Sequence, residues 1–260
     1  MNTEIHKHFH PDEHSFVDKA RDWIERAVDQ HRLRRTDFLD PRQAFILTTL
    51  LNRNPDAQLR LDGGYPGAER RRALIAPDYM RLDDEDMGIR VLAVTSGDAK
   101  IAELDHSDYM GALLALGMKR DKIGDIHAGP TGCHYLVEEE AADYLHLNLT
   151  HVGKVAVHTE VLPPDRLIAT ESKLQELQLS VASMRLDGIV SDVFRLSRAK
   201  AIVPIQAGRC RVNWKPEANP SAQLKAGDIV SMQGFGRFKV LDVEGVTKSG
   251  RMRVKVGKYV

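Results

Sequence analysis

The chain has 260 residues, 42% of them hydrophobic, with 37 Lys plus Arg against 37 Asp plus Glu, which is enough for two or three compact units, each with a core of its own. No apolar run approaches a membrane span, no signal peptide opens the chain, and Cys133 and Cys210 stand far apart without ligand spacing, so a soluble, reduced, cytoplasmic protein without a disulfide or zinc framework is expected. The neutral total hides an asymmetry: residues 1–180 hold 22 basic and 31 acidic side chains, whereas residues 181–260 hold 15 and 6, an acidic body joined to a basic C-terminal module that attracts polyphosphate.

The N-terminus clusters His6, His8, His10 and His14. Pro11 interrupts the helical spacing that would pair them, so no metal site is expected there. Ser15 to His31 forms a helix with Phe16, Ala20, Trp23, Ala27 and Val28 on one side, and Asp40-Pro41 caps a second helix running through Asn52. Leu59-Arg60-Leu61 and Ala73-Leu74-Ile75 then flank the turn-rich Asp62-Gly63-Gly64-Tyr65-Pro66-Gly67 as a hairpin. Its basic exit, Glu69-Arg70-Arg71-Arg72, is either a solvated strand edge or a second contact to RNA phosphate. These elements make an N-terminal α+β domain, residues 1–82.

The acidic run Asp83 to Asp86 marks a boundary, after which the pattern changes. Ile89–Val94 is a strand, Ser107–Leu116 a helix, Gly124–His127 and Cys133–Val137 strands, Glu138–Leu149 a helix and Lys154–Val161 a strand. That βαββαβ order is the ferredoxin-like plan shared by RNA-recognition motifs, and it assigns residues 86–163 to a middle domain. Its central strands offer only His127, His134 and Tyr135 for base stacking, so the plan indicates architecture more than RNA contact. Cys133 and His134 are neighbours on a strand and face opposite sides, which excludes them as a nucleophile and its base. Pro163-Pro164 begins a stiffened linker that runs to Ser172.

In the third domain, residues 181–260, Ile189, Val190, Val193 and Leu196 form the apolar stripe of a helix. Ser197 caps a second helix opening with Arg198, Ala199 and Lys200, Pro204 should kink or shorten it, and Gly208 suits a left-handed end. The alternation in Arg209-Cys210-Arg211-Val212-Asn213 predicts a half-exposed strand. Beyond it, Arg237 and Lys239 alternate with Phe238, and a hairpin around Lys248-Ser249-Gly250 leads to Arg251, Arg253 and Lys255 at period two. Trp214 is a candidate base-stacking side chain, though a core or edge role is the commoner one.

The order Arg185-Leu186-Asp187, Leu196-Ser197-Arg198-Ala199-Lys200-Ala201, Ala207-Gly208-Arg209-Cys210-Arg211-Val212-Asn213 and Lys225-Ala226-Gly227-Asp228 resembles the ribosomal-protein-S-four RNA-binding domain. With Phe9, Pro11-Asp12-Glu13, Thr36 to Gln43, Gly63-Gly64-Tyr65, Val212-Asn213-Trp214 and Gly234-Phe235-Gly236-Arg237, the whole chain resembles the bacterial YlmH-type proteins, related to photosystem II S-four-domain proteins. The resemblance implies a multidomain α+β fold with a ferredoxin-like, RNA-recognition-like middle domain and a small C-terminal helix-turn-helix plus β module. It also implies association with the large ribosomal subunit bearing peptidyl-tRNA, in rescue of stalled nascent chains, with ribosomal RNA and tRNA as partners.

On this expectation the RNA contacts come from Arg185, Ser197, Arg198, Lys200, Gln206, Arg209, Arg211, Asn213, Lys215, Arg237, Lys239, Arg251 and Arg253, mostly to phosphate and sugar. Asp187 is expected to orient an arginine by ion pairing. No Walker loop, dinucleotide fingerprint, Ser-His-Asp order or HExxH motif occurs, so no catalysis and no cofactor are expected. The alternatives are an RNA-modifying enzyme that uses the module for targeting, and an accessory of cell division or photosystem assembly. The acidic N-terminal domains leave room for a protein partner.

Overall fold

The computed structural model describes residues 2–171, 174–246 and 250–259, and these form two compact units, one of residues 15–171 and one joining the first fourteen residues to the chain from 174 onward. No helix among the described residues is long and apolar enough to cross a membrane. The turn expected at Lys248-Ser249 lies outside the described residues.

The first fourteen residues hold α1 (Asn2–His6) and a 3-10 turn at Pro11–Glu13. His6 and His14 stack at 4.3 Å, the His10 ring accepts the Asp12 N–H at 3.3 Å, and Glu13 accepts the His10 N–H at 3.0 Å. These histidines fasten local turns.

The unit of residues 15–171 takes most of α2 (His14–Asp29), then β1 (Arg34–Arg35), α3 (Pro41–Leu51), β2 (Ala57–Asp62) and β3 (Arg72–Pro77). Val17, Ala20, Trp23, Ile24 and Ala27 form the buried face of α2, with Phe16 and Val28 only flanking it. At the start of α3, Asp40 accepts the Gln43 N–H at 2.8 Å and Gln43 returns the bond at 3.0 Å, a capping box with Pro41 in the first turn. The expected hairpin is present, with Leu59 opposite Ile75 and Leu61 opposite Ala73, and β1 completes an antiparallel sheet of order β1-β3-β2.

Next come β4 (Ile89–Thr95), α4 (His106–Ala115), β5 (Ile123–Gly129), β6 (Gly132–Glu138), α5 (Glu139–Asn148), a small hairpin of β7 (His151–Val152) and β8 (Val155–Ala156), and β9 (His158–Leu162). The sheet order β5-β6-β4-β9 with every pairing antiparallel is the ferredoxin-like topology. One expectation fails in detail: the strand from Lys154 to Val161 is broken, because its first part folds back on His151–Val152 before β9 joins β4.

Both faces of this sheet are covered. Leu92, Val94, Ile123, Tyr135 and Val137 pack with Tyr109 and Leu113 of α4 and Leu145 of α5. On the other face, Ile89, Val91 and Leu136 pack against Phe38, Leu74 and Ala76 from the preceding segment. The approach at Gly124 is so close that a Cβ there would lie 2.7 Å from the Phe38 ring. The segments expected as domains 1–82 and 86–163 therefore share an apolar seam.

A polar seam surrounds it. Asp125 accepts the Tyr65 hydroxyl at 2.8 Å and the N–H groups of Glu69 and Arg70 at 2.7 and 3.1 Å. Lys122 bridges Asp37 at 2.7 Å and Glu138 at 2.9 Å. Arg70 donates to the carbonyls of Ile123 and Phe38, each at 3.0 Å, and buried Arg72 to those of Thr36 and Gly88 at 2.7 and 2.6 Å. Arg70 and Arg72 are thus neither a solvated strand edge nor an RNA contact, since their donors are taken up inside the fold. The acidic run is equally structural: the Arg60 guanidinium donates to the carbonyls of Leu82, Asp83 and Glu85.

The chain then forms β10 (Leu174–Val181), α6 (Leu186–Phe194), α7 (Arg198–Gln206), β11 (Cys210–Val212), β12 (Lys215–Pro216), β13 (Ile229–Met232), β14 (Gly236–Val246) and β15 (Met252–Tyr259), the strands lying in the order β10-β15-β14-β13-β11-β12. β10 pairs along its whole length with β15, so this sheet begins before the boundary expected at residue 181. Ile189, Val190 and Val193 meet Val230, Phe238, Val240, Val254 and Val256 in one core. Pro204 does not end α7, which continues to Gln206. Gly208 has φ +70°, and the bonds from Arg209 N–H to the Pro204 carbonyl and from Gly208 N–H to the Ile205 carbonyl, both 3.0 Å, form the Schellman closure.

Candidate nucleic-acid interface

The basic module is organised by an acid. Asp187, in the first turn of α6, is buried, and its two oxygens take Arg185 at 3.2 and 2.8 Å and Arg198 at 2.8 Å. Burial opposes ionisation of this carboxyl, but the hydrogen bonds and charges of the two arginines prevail and hold its pKa at about 2. Arg185 and Arg198 remain 35% and 56% exposed, so the carboxylate fixes two cations side by side where a phosphate can reach them. Ser197 caps α7 by accepting the Lys200 N–H at 3.3 Å. Lys200, Gln206 and Arg209 are exposed around these helices.

The remaining candidates divide from these by the pleat of the sheet. Cys210, Val230, Met232, Phe238, Val254 and Val256 point into the core beneath the helices. Arg211, Ser231, Arg237, Lys239, Arg253 and Lys255 alternate with them and so occupy the opposite, open face. The structure therefore distributes the expected site over two faces, Arg185, Arg198, Lys200, Gln206 and Arg209 on the helical layer, and Arg211, Arg237, Lys239 and Arg253 across the sheet. Arg251 donates to the Ser180 carbonyl at 3.1 Å, and Lys255 pairs with Glu176 at 2.8 Å.

Asn213 serves the fold. Its amide donates to buried Asp228 at 2.9 Å and accepts the Ile229 N–H at 2.9 Å. Asn213 and Trp214 form the two-residue turn between β11 and β12, with φ of 50° and 64°, the type I′ geometry that Asn-Gly satisfies without strain. Trp214 in the second position costs about 1–2 kcal/mol. Its ring lies 5.8 Å from the Arg237 guanidinium, whose other aromatic neighbour is Tyr259 at 4.2 Å. Lys215 is exposed beside the turn. Sequence reasoning passed over Tyr259, although period two from Arg253 and Lys255 places it on their face.

A ferredoxin-like body and a helix-on-sheet module with a fixed arginine pair define a multidomain α+β protein with a cationic surface on its C-terminal module. Residues 12–80 match the family model "YlmH, N-terminal" and residues 83–165 the model "Putative RNA-binding domain in YlmH". The chain is 35% identical over 252 residues to the Bacillus subtilis (strain 168) "Ribosome-associated protein quality control protein P2", covering 97% of each chain. It belongs to the YlmH family. A solved structure, the cell division protein ylmH from Streptococcus pneumoniae, shares its fold at 21% identity and a TM-score of 0.53 over 60% of this chain and 93% of that one.

The segment 83–165 carries six Lys plus Arg against sixteen Asp plus Glu, and the sheet face opposite its helices is packed against Phe38 and Leu74. Both the charge and the open aromatic platform that RNA-recognition folds use are missing from it. The cationic surface is in the C-terminal unit.

Proposed function

We propose that this protein is a non-catalytic, cytoplasmic RNA-binding factor that docks on the large ribosomal subunit and on tRNA, in quality control of stalled nascent chains. The observation that carries the RNA contact is the Arg185–Asp187–Arg198 arrangement, two cations held at the start of the two helices by one buried carboxylate. Structured RNA is met largely through its phosphates and sugars, and a fixed pair of guanidiniums suits that task. Lys200, Gln206 and Arg209 extend the surface, and Ser197 contributes by fixing the start of α7. The ribosomal setting rests on the name and the near full-length match of the Bacillus subtilis relative. The three-domain division rests on the two family matches and on the separate C-terminal sheet, and the acidic body is the surface for a protein partner.

Co-sedimentation with empty and stalled ribosomes across a salt series tests this. Wild-type protein should pellet with large subunits, most strongly when peptidyl-tRNA is retained, and Arg198→Ala should weaken binding and lower the log–log salt slope by about 1. Unchanged binding by a folded Arg198→Ala variant refutes the assignment.

A further inference from the structure

We propose that the open face of the C-terminal sheet is a second RNA surface, one that takes an unpaired strand by stacking bases on Trp214 and Tyr259. This rests on the RNA-binding reading above and adds to it a distinct face and a distinct class of RNA. Three observations converge. Trp214, Arg237 and Tyr259 form a ladder on this face, with the guanidinium 5.8 and 4.2 Å from the two ring centres. Arg211, Ser231 and Arg237 lie in register across three strands, and Lys239 follows Arg237 on the same side, so cations accompany the rings. Thirdly, the turn holds an indole at φ 64°, a backbone position where glycine is free of strain. Strain retained for an aromatic side chain points to a use for the ring.

Charge and shape choose the occupant. Glu176 and Asp242 lie beside Lys255, further along the sheet from β11, and Arg211, Arg237 and Lys239 are the cations on the strands nearest the rings. A polyanion with exposed π faces fits this surface. A duplex keeps its bases stacked on one another, whereas a single strand offers them to an aromatic platform and its phosphates to the adjacent cations. The helical layer, which has the arginine pair, suits folded RNA. One small unit would thus hold paired and unpaired RNA on opposite sides.

The experiment compares two labelled RNAs, an oligouridine of about ten nucleotides and a stable hairpin, by fluorescence anisotropy with the full-length protein. The variants are Trp214→Gly, which suits the turn, Tyr259→Leu, which keeps apolar bulk, and Arg198→Ala, with thermal unfolding of each as the check on folding. Trp214→Gly and Tyr259→Leu should weaken oligouridine binding about tenfold and leave the hairpin unaffected, and Arg198→Ala should do the reverse. Wild-type affinity for oligouridine in both aromatic variants overturns the proposal, as does equal loss of both RNAs in folded aromatic variants. If wild-type protein binds neither RNA, the RNA-binding reading itself fails, an outcome distinct from failure of the second surface alone.

Discussion

Asp187→Asn is the most informative single perturbation of the basic module. The substitution keeps the shape of the side chain and removes the charge that Arg185 and Arg198 share. Held at about 2 against an ordinary 3.8, the carboxylate is worth about 2 kcal/mol to folding. Solvent reaches both arginines, at 35% and 56% exposure, which brings the value nearer 1 kcal/mol. Because the folded pKa is depressed, this stability is fully present above about pH 4 and disappears as pH falls through about 2. Urea unfolding with amide exchange in α6 should therefore show the variant weaker by about 1–2 kcal/mol at pH 7, the difference closing toward pH 2. Hairpin-RNA affinity should fall as well, since two cations lose their common anchor. A variant with wild-type stability and wild-type RNA affinity at pH 7 would refute the argument that the buried acid organises the surface.

Gly124→Ala places a methyl 2.7 Å from the Phe38 ring and 3.0 Å from Leu136 Cβ and should cost about 1–3 kcal/mol, read as a lowered Tm; an unchanged Tm would contradict the packed seam. Asp125→Ala strands the N–H groups of Glu69 and Arg70 and the Tyr65 hydroxyl, and a chemical denaturation midpoint should register a loss of about 2–3 kcal/mol. His134 and His127 accept the N–H groups of Ile168 and Thr170, each at 3.0 Å, and burial pushes both imidazoles below their usual value. Their neutral forms thus contribute stability that is complete above about pH 6.5 and is lost as pH falls through the folded values. Exchange at the Ile168 and Thr170 amides, corrected for intrinsic rates, should quicken between pH 7 and pH 5, and constant protection would count against these bonds.

Much of the C-terminal unit was legible because its signals are local. The Ile189, Val190 and Val193 stripe, the Ser197 cap, the left-handed Gly208 and the alternation of Cys210 with Arg211 each depend on residues a few positions apart, and all recur in the structure. Asp187 was legible as an ion-pair partner, although its second arginine lies eleven positions away. The ferredoxin-like order was legible from the change between helical and strand periods. What could not be read depends on distant acceptors. Three consecutive arginines look like surface, yet Arg70 finds the Ile123 carbonyl and Arg72 that of Gly88 only after the chain has folded. Phe38 carries no mark that it will cover a sheet built from residues far ahead, and Asn213 none that its amide is committed to Asp228.

The covered sheet face also bears on how the chain can be divided. A fragment beginning at residue 83 would present Ile89, Val91 and Leu136 to water in place of Phe38, Leu74 and Ala76, an apolar surface of the sort that drives self-association. Adhesion of such a fragment to RNA, to other proteins or to itself would be a property of the cut edge. Truncations meant to separate the roles of the two N-terminal segments should keep residues 15–171 intact and alter individual side chains, whereas a cut before Leu174 leaves every strand of each sheet whole.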